Sequence, residues 1–297
     1  MTASAKTPAA SLAHLGPDRQ DIAILTSQER IRLAREDAWI GYSAARSGLQ
    51  RLEDLLDHPK SPRMPNILVV GDSGNGKTSL IGRFRDLHPP LIKPDGRGEQ
   101  PVVVMTMPAE PSEARFWSDL IAAMGVARND SGSVQAKMSQ AMLLLQSLHC
   151  RMLIIDEIHN VMNGNLPRQK QLLAMLKNLG SRLMIPIVVV GTEAAKRTLQ
   201  TDPQLANRFE AIVLPKWELG PQFVSLLASF ERVLPLLERS NLAGRELAFP
   251  LFELSKGSIG QLTRVLRRAA VEAIRSGEER ITPEILAGLD AIDLGGV

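Results

Sequence analysis

Cysteine is nearly absent: the 297-residue chain has one, Cys150. A single thiol excludes an internal disulfide and any metal site built on clustered cysteines, so a reducing cytoplasm is the expected compartment. Placed just before an apolar run, Cys150 reads as a small core residue. Long hydrophobic runs are missing too. No stretch approaches the ~20 apolar residues that span a bilayer. Met1 to Pro17 is small and polar and lacks the apolar centre of a signal peptide, so it is expected to be a disordered leader. The third absence is a field of one sign. The formal charge is +3, divided as +1 for residues 1–65, +3 for 66–215 and −1 for 216–297. Contact with nucleic acid therefore needs a local cluster, or a small one repeated around an oligomer. With 44% apolar and 23% charged residues, the composition is that of a soluble globular protein of one or two domains.

Glycine is concentrated where it can be used. Residues 71–78 read Gly-Asp-Ser-Gly-Asn-Gly-Lys-Thr, which fits the phosphate-loop pattern G-x-x-x-x-G-K-[ST] at every fixed position. The apolar run Asn66–Val70 leads in, and a helical pattern from Thr78 and Ser79 leads out. That order sets consecutive backbone N–H groups around a phosphate at a helix N-terminus. Gly71, Gly74 and Gly76 supply backbone freedom, while Asp72, Ser73 and Asn75 complete the loop. Lys77 can reach the β- and γ-phosphates of ATP, and the Thr78 hydroxyl can ligate Mg²⁺. A chance Gly-rich turn is the alternative, and the flanking strand and helix argue against it.

A second motif, Met152-Leu153-Ile154-Ile155-Asp156-Glu157, reads as a buried parallel strand with two acids at its C-terminal end. Ligands sit at that end of open α/β sheets. Asp156 suits the Mg²⁺ shell and Glu157 the deprotonation of an attacking water; two acids in tandem favour hydrolysis over transfer to another hydroxyl. The strand Ile187–Gly191 ends on Thr192, whose hydroxyl can bond the γ-phosphate or the water, or simply cap the helix that starts at Glu193. Arg208, before the last strand, reads alone as a solvated surface residue. Together with the phosphate loop and the acidic strand it becomes a candidate arginine finger, reaching a neighbouring subunit's pocket.

Five strands are expected, at Ile67–Gly71, Val102–Met107, Leu153–Asp156, Ile187–Gly191 and Ala211–Leu214. Helical patterns at 78–87, 113–125, 133–148, 168–180, 193–200 and 203–208 lie between them. The alternation implies right-handed crossovers and a parallel sheet covered on both faces. Residues 27–58 carry helical patterns, with Ser27 as the expected cap. The Pro-rich stretch Pro59–Pro65 reads as a linker, and residues 88–100 as a loop. After Pro215 only helical periodicity remains, over 221–237, 245–255, 259–276 and 283–292. His159 reads as an ordinary residue of the loop after the acidic strand.

In order and spacing this set resembles an AAA+ ATPase. Walker A lies at 71–78, Walker B at 152–157, a sensor-1 residue at Thr192, an Arg-Phe pair at 208–209, and a helical lid follows. It resembles one branch in particular, the TniB/TnsC family of transposon target-selection ATPases, with MuB and IstB as more distant relatives. The carrying residues are Leu153–Glu157, Val189–Glu193, Arg208-Phe209 and the segment Lys256-Gly257-Ser258-Ile259-Gly260-Gln261-Leu262-Thr263-Arg264. The resemblance covers about residues 27–292. It implies a five-stranded AAA+ core at 63–216, a C-terminal lid at 217–297, and a leader plus N-terminal helical extension at 1–62. It also implies an ATP- and Mg²⁺-dependent ATPase that assembles as a ring or filament on double-stranded DNA. Such a protein recruits a cognate DDE transposase and works with a TniQ-type adaptor. A helicase loader of the IstB/DnaC type, or a DNA-remodelling ATPase, is the alternative. The lid departs from many AAA+ proteins in having no arginine between Gly257 and Gly260, which leaves Arg264 as the nearest sensor-2 candidate. For DNA the resemblance points to Arg115, Arg128 and Lys137, with Lys93 and Arg97 in the preceding loop.

Overall fold

Apolar runs of about five residues in the middle of the chain become strands, because such runs bury both faces of a parallel sheet. The computed structural model describes residues 12–128, 131–200 and 206–293. The chain divides into two compact units: Ser43–Pro215, and Met1–Tyr42 with Lys216–Val297. The division falls at 42/43 and 215/216, where the sequence reading placed boundaries at 62/63 and 216/217.

The central unit holds β1 (Asn66–Val70), β4 (Val102–Thr106), β5 (Met152–Asp156), β6 (Ile187–Gly191) and β7 (Phe209–Val213) in one parallel sheet, ordered β4-β5-β6-β1-β7. All five expected strands are present, within about two residues of their expected bounds. Helices α2 (Ser43–Leu56), α3 (Lys77–Leu87), α4 (Glu113–Ala123), α5 (Val134–Ser147), α6 (Leu166–Leu183) and α7 (Glu193–Gln200) belong to the same unit. The four apolar residues Met152–Ile155 are fully buried, and so are Val188, Val189 and Val190 beside them. Two arginines tie α2 to the sheet. Arg51 donates to the Ala211 carbonyl of β7, and Arg151 to the Leu56 carbonyl at the end of α2. Gly48 of α2 lies where a Cβ would come within 3.2 Å of Leu80 and Ile212. Cys150 is held in this core, its thiol pushed up to about 12 by burial, so it stays protonated and inert.

Residues 88–100 are more than the loop expected of them. Leu91–Ile92 (β2) and Gly98–Glu99 (β3) pair antiparallel around Pro94-Asp95-Gly96. Lys93 and Gly96 close the turn (Gly96 N–H to Lys93 carbonyl, 2.9 Å), with Gly96 at φ +80°. Proline, aspartate and glycine were read as breakers; in this spacing they form a tight hairpin.

The second unit contains α1 (Ser27–Arg35), α8 (Pro221–Glu231), α9 (Arg245–Ser255), α10 (Ile259–Ser276) and α11 (Pro283–Asp293). The cap of α1 is Thr26, one residue before the expected Ser27. Its hydroxyl and Glu29 form a reciprocal capping box. Residues 1–11 of the expected leader lie outside the described residues. Residues 12–17 are ordered differently from that expectation, because Leu15 is apolar and buried, and Gly16 N–H bonds the Arg232 carbonyl at 2.8 Å. Arg30 is buried and makes a two-pronged pair with Glu279. Gly257, at φ +73°, has no room for a Cβ, which would meet the Trp217 carbonyl; Ser258 then caps α10. Of the helix expected at 203–208, residues 203–205 lie outside the described set, and 207–208 form a turn leading into β7. Among the described residues no helix is long and apolar enough to cross a membrane.

Candidate functional site

The sheet order makes β5, β6 and β1 neighbours, so their C-terminal tips form one ledge. Val70 is level with Gly191, and Ile155 with Val189. Gly71, Glu157 and Thr192 therefore leave the sheet at about the same height, on strands some 5 Å apart.

The loop after β1 folds tightly against the end of β7. A Cβ on Gly71 would sit 2.6 Å from the Leu214 carbonyl, so only glycine fits there. Asn75 is buried and donates to the same carbonyl at 3.3 Å, while its Oδ1 is buried with no hydrogen-bond partner. Gly74 and Gly76 are left-handed, at φ +75° and +85°. Gly76 begins α3 without a side-chain cap, leaving first-turn N–H groups for an anion. Thr78 and Ser79 are exposed on that first turn, and Asp72, Ser73 and Gly74 are exposed on the loop. Lys77 is buried beneath the loop, its Nζ donating to the carbonyls of Gly71 and Asp72, both at 2.8 Å. Burial pushes the ammonium pKa down, against the pull of Glu157, Asp156 and Asp72. Two carbonyls thus hold a charge that a triphosphate satisfies better.

Opposite Lys77, Asp156 is half-buried and its Oδ1 accepts from the Glu157 N–H at 2.7 Å. Burial pushes its pKa up; the Glu157 N–H opposes this, and the charge on Glu157 adds to it. A carboxylate desolvated in this way is stabilised by a nearby cation. Among the described residues no group of three His, Cys, Asp or Glu side chains could hold a metal. The set fits Mg²⁺, which takes one or two protein oxygens and completes its shell with phosphate and water. Glu157 is in the left-handed region at φ 54°, a conformation the sequence did not announce. Its Oε2 lies 3.0 Å from His159 Nε2. The sequence reading passed over His159; its signal was an imidazole two residues beyond a candidate base. Thr192 is half-buried directly after β6.

Arg208 lies elsewhere. Its carbonyl accepts from the Asn66 N–H at the start of β1, and its guanidinium donates to Ser181 Oγ at 3.2 Å. It stands at the opposite end of β1 from the phosphate loop, about 17 Å away by strand rise. Arg264 is an exposed residue of α10.

The candidate DNA contacts do not form one exposed, uncommitted set. Lys93 pairs with Glu99 at 2.5 Å, Arg97 with Asp95 at 2.8 Å, Arg115 with Glu110 at 3.1 Å, and Arg128 with Asp119. Lys137 is a correction to the sequence reading: it is 6% exposed, so its side chain is not offered at the surface. Two further cations, Arg168 and Lys170, are exposed at the start of α6 and have no side-chain partner among the described residues. Beside them Leu166 is 69% and Met162 46% exposed.

Comparison with known proteins supports both fold and family. The family model described as Bacterial TniB protein matches residues 30–219. No curated protein matches the chain. Among solved structures, the ORC1 protein of Aeropyrum pernix in complex with DNA is similar at TM-score 0.61 and 18% identity, over 88% of this chain and 68% of that one. Cdc6p from Pyrobaculum aerophilum gives TM-score 0.61 and 17% identity, over 86% and 68%. The Thermotoga maritima RuvB Holliday junction branch migration motor gives 0.52 and 15%, over 88% and 73%. These likenesses carry the fold, a five-stranded parallel α/β core accompanied by helices.

Proposed function

Since the chain belongs to the TniB family, we propose that it is an ATP-hydrolysing, DNA-binding assembly factor that selects target duplex for a DDE transposase. The observation that carries this reading is the ledge on which Lys77, Asp156 and Glu157 face one another. Burial moves the Lys77 pKa down and the Asp156 pKa up, and the charge of each opposes the other's shift, as expected of groups gathered in one cleft.

In this reading the N–H groups of the loop and of the start of α3 bind the phosphates, and Lys77 exchanges its two carbonyls for β- and γ-phosphate oxygens. Thr78 and Asp156 would hold Mg²⁺, which when bound neutralises charge on those phosphates. Glu157 takes a proton from a water as the water oxygen bonds to the γ-phosphorus. The bond from that phosphorus to the bridging oxygen breaks, giving ADP and inorganic phosphate. Thr192 donates to the γ-phosphate or the water. Arg208, being at the far end of its own sheet, serves the pocket of an adjoining subunit. Hydrolysis is then tied to assembly, and assembly to DNA. The C-terminal helices act as the lid, and a TniQ-type adaptor joins the assembly.

Duplex contact draws first on Arg168 and Lys170, and secondarily on the paired Lys93, Arg97, Arg115 and Arg128 once their solvent-accessible ion pairs exchange for phosphate. Such pairs hold by roughly 1 kcal/mol or less. The test is duplex binding measured with ATP, with a non-hydrolysable analogue, with ADP and without nucleotide. Binding is expected with ATP and the analogue, with little sequence preference and a steep fall with salt. Equal affinity without nucleotide overturns the reading. Sustained strand displacement would place the protein among helicases and their loaders instead.

A further inference from the structure

Glu157 pays for its position with backbone strain, since a non-glycine residue in the left-handed region costs about 1 kcal/mol or more. The turn this creates sends residues 158–163 into a short 3-10 helix. It also brings the His159 ring back over the Glu157 carboxylate, with Nε2 at 3.0 Å from Oε2.

The base from which His159 projects is rigid. Ile158 and Val161 on either side are 1% and 0% exposed. Asn160 donates from its backbone to the Glu157 carbonyl and from its side chain to the Met107 carbonyl, both at 2.9 Å. On the other side Gly191 has no side chain where a Cβ would lie 3.0 Å from Ile158 Cγ2 and 3.8 Å from His159 N. The segment is therefore pinned between the tip of β6 and the loop after β4. The ring has one buried nitrogen, Nδ1, with no hydrogen-bond partner. A bare lone pair is cheaper to bury there than an unpaired N–H, so the hydrogen belongs on Nε2, facing the carboxylate.

We propose that His159 is the positioning residue for Glu157. By donating from Nε2 to Oε2 it fixes the carboxylate in one orientation and leaves Oε1 to receive the proton of the attacking water. This rests on the reading of Glu157 as the general base. It extends to this site the rule that a catalytic base is itself oriented by a third group.

The test is steady-state ATP hydrolysis by the full chain with duplex, beside direct measurement of nucleotide affinity. His159→Ala should lower kcat about tenfold to a hundredfold, the range seen when an orienting partner is removed, with KM and nucleotide affinity within about twofold. His159→Gln, whose amide N–H reaches as far as Nε2, should recover most of the rate. His159→Asn, one atom shorter and equally polar, should not. The Gln/Asn contrast decides the matter even if the alanine variant folds poorly. In Glu157→Gln, adding His159→Ala should cost nothing further. A hydrolysing wild type whose Ala, Asn and Gln variants share its kcat removes the role of His159 alone. Equal slowing by Gln and Asn, or a faster alanine variant, also overturns it. A wild type that does not hydrolyse ATP removes the reading of Glu157 as base, and the proposal with it.

Discussion

The two ends of the central sheet differ in how well their polar groups are satisfied. At the N-terminal end Asn66 accepts from the Ile187 N–H at 2.8 Å and donates its own N–H to the Arg208 carbonyl, and Arg208 finds Ser181. At the C-terminal end Lys77 is held by carbonyls, Asp156 is desolvated, Glu157 is strained, and Asn75 Oδ1 is buried without a partner. A folded chain leaves buried groups in that state where a ligand completes them or where strain is part of function. The C-terminal end is left open in this way, while the N-terminal end is completed by its own chain. Arg208 belongs to the finished end, which is why any catalytic service it gives must go to another subunit.

The sharpest way to break this contrast is Arg208→Ala. Its nucleotide affinity should match wild type, since nothing at its own phosphate loop changes. Hydrolysis by the assembled protein should fall on the order of 10³-fold, as for arginine fingers acting in trans. Mixing it with Glu157→Gln should restore part of the rate, because one mixed interface combines an intact Arg208 with an intact Glu157. A rate that is unchanged, or lost without recovery on mixing, would return Arg208 to a purely local role at Ser181.

How far the sequence showed this contrast depends on the distance over which each feature is decided. The phosphate loop was legible because every element of it is local: the run Asn66–Val70, the glycines and the start of α3 are consecutive. The strands were legible for the same reason, each an unbroken apolar run. Several helix ends shifted by two residues or more, since fraying is decided by packing. The capping box of Thr26 and Glu29 moved the start of α1 because either Thr26 or Ser27 satisfies the local pattern. The grouping of α2 with the sheet was hidden, as it depends on Gly48 meeting Leu80 and Ile212 from distant segments. Lys137 looked like any exposed cation until its helix was placed. The pairing of Glu157 with His159 was hidden in the backbone, because no residue type announces a left-handed glutamate.

A smaller effect concerns the surface beside the unfinished end. Arg168→Glu with Lys170→Glu should weaken ATP-dependent duplex binding by about tenfold or more at moderate salt. The slope of log affinity against log salt should drop by about 2 per subunit, one for each lost phosphate contact. The matching pair Lys93→Glu and Arg97→Glu should do less, since each of those cations already has a carboxylate beside it. Nucleotide binding should survive both. If the Lys93 and Arg97 pair proves the more damaging, DNA lies along the hairpin of β2 and β3 and not along α6.

The smallest effect has the opposite sign. Asp156→Asn should abolish hydrolysis yet raise the stability of the nucleotide-free protein, by roughly 1 kcal/mol, a common gain when a functional group is replaced. The cause is burial, which raises the Asp156 pKa above its ordinary 3.8. Between that ordinary value and the raised one the folded state binds more protons than the unfolded, so wild-type stability falls as pH rises through the window. Below it both states carry the proton and the penalty vanishes. Asparagine keeps an oxygen for the Glu157 N–H and has no charge to desolvate. The gain in Tm should therefore be present at neutral pH, about 2–4 °C per kcal/mol for a unit of this size, and disappear near pH 3.8 and below. Saturating ATP and Mg²⁺ should reverse the order, stabilising wild type more than the variant, because the cation supplies what burial withholds. A variant no more stable than wild type without ligand would mean that Asp156 is already satisfied, and the two ends of the sheet would then differ less than their geometry indicates.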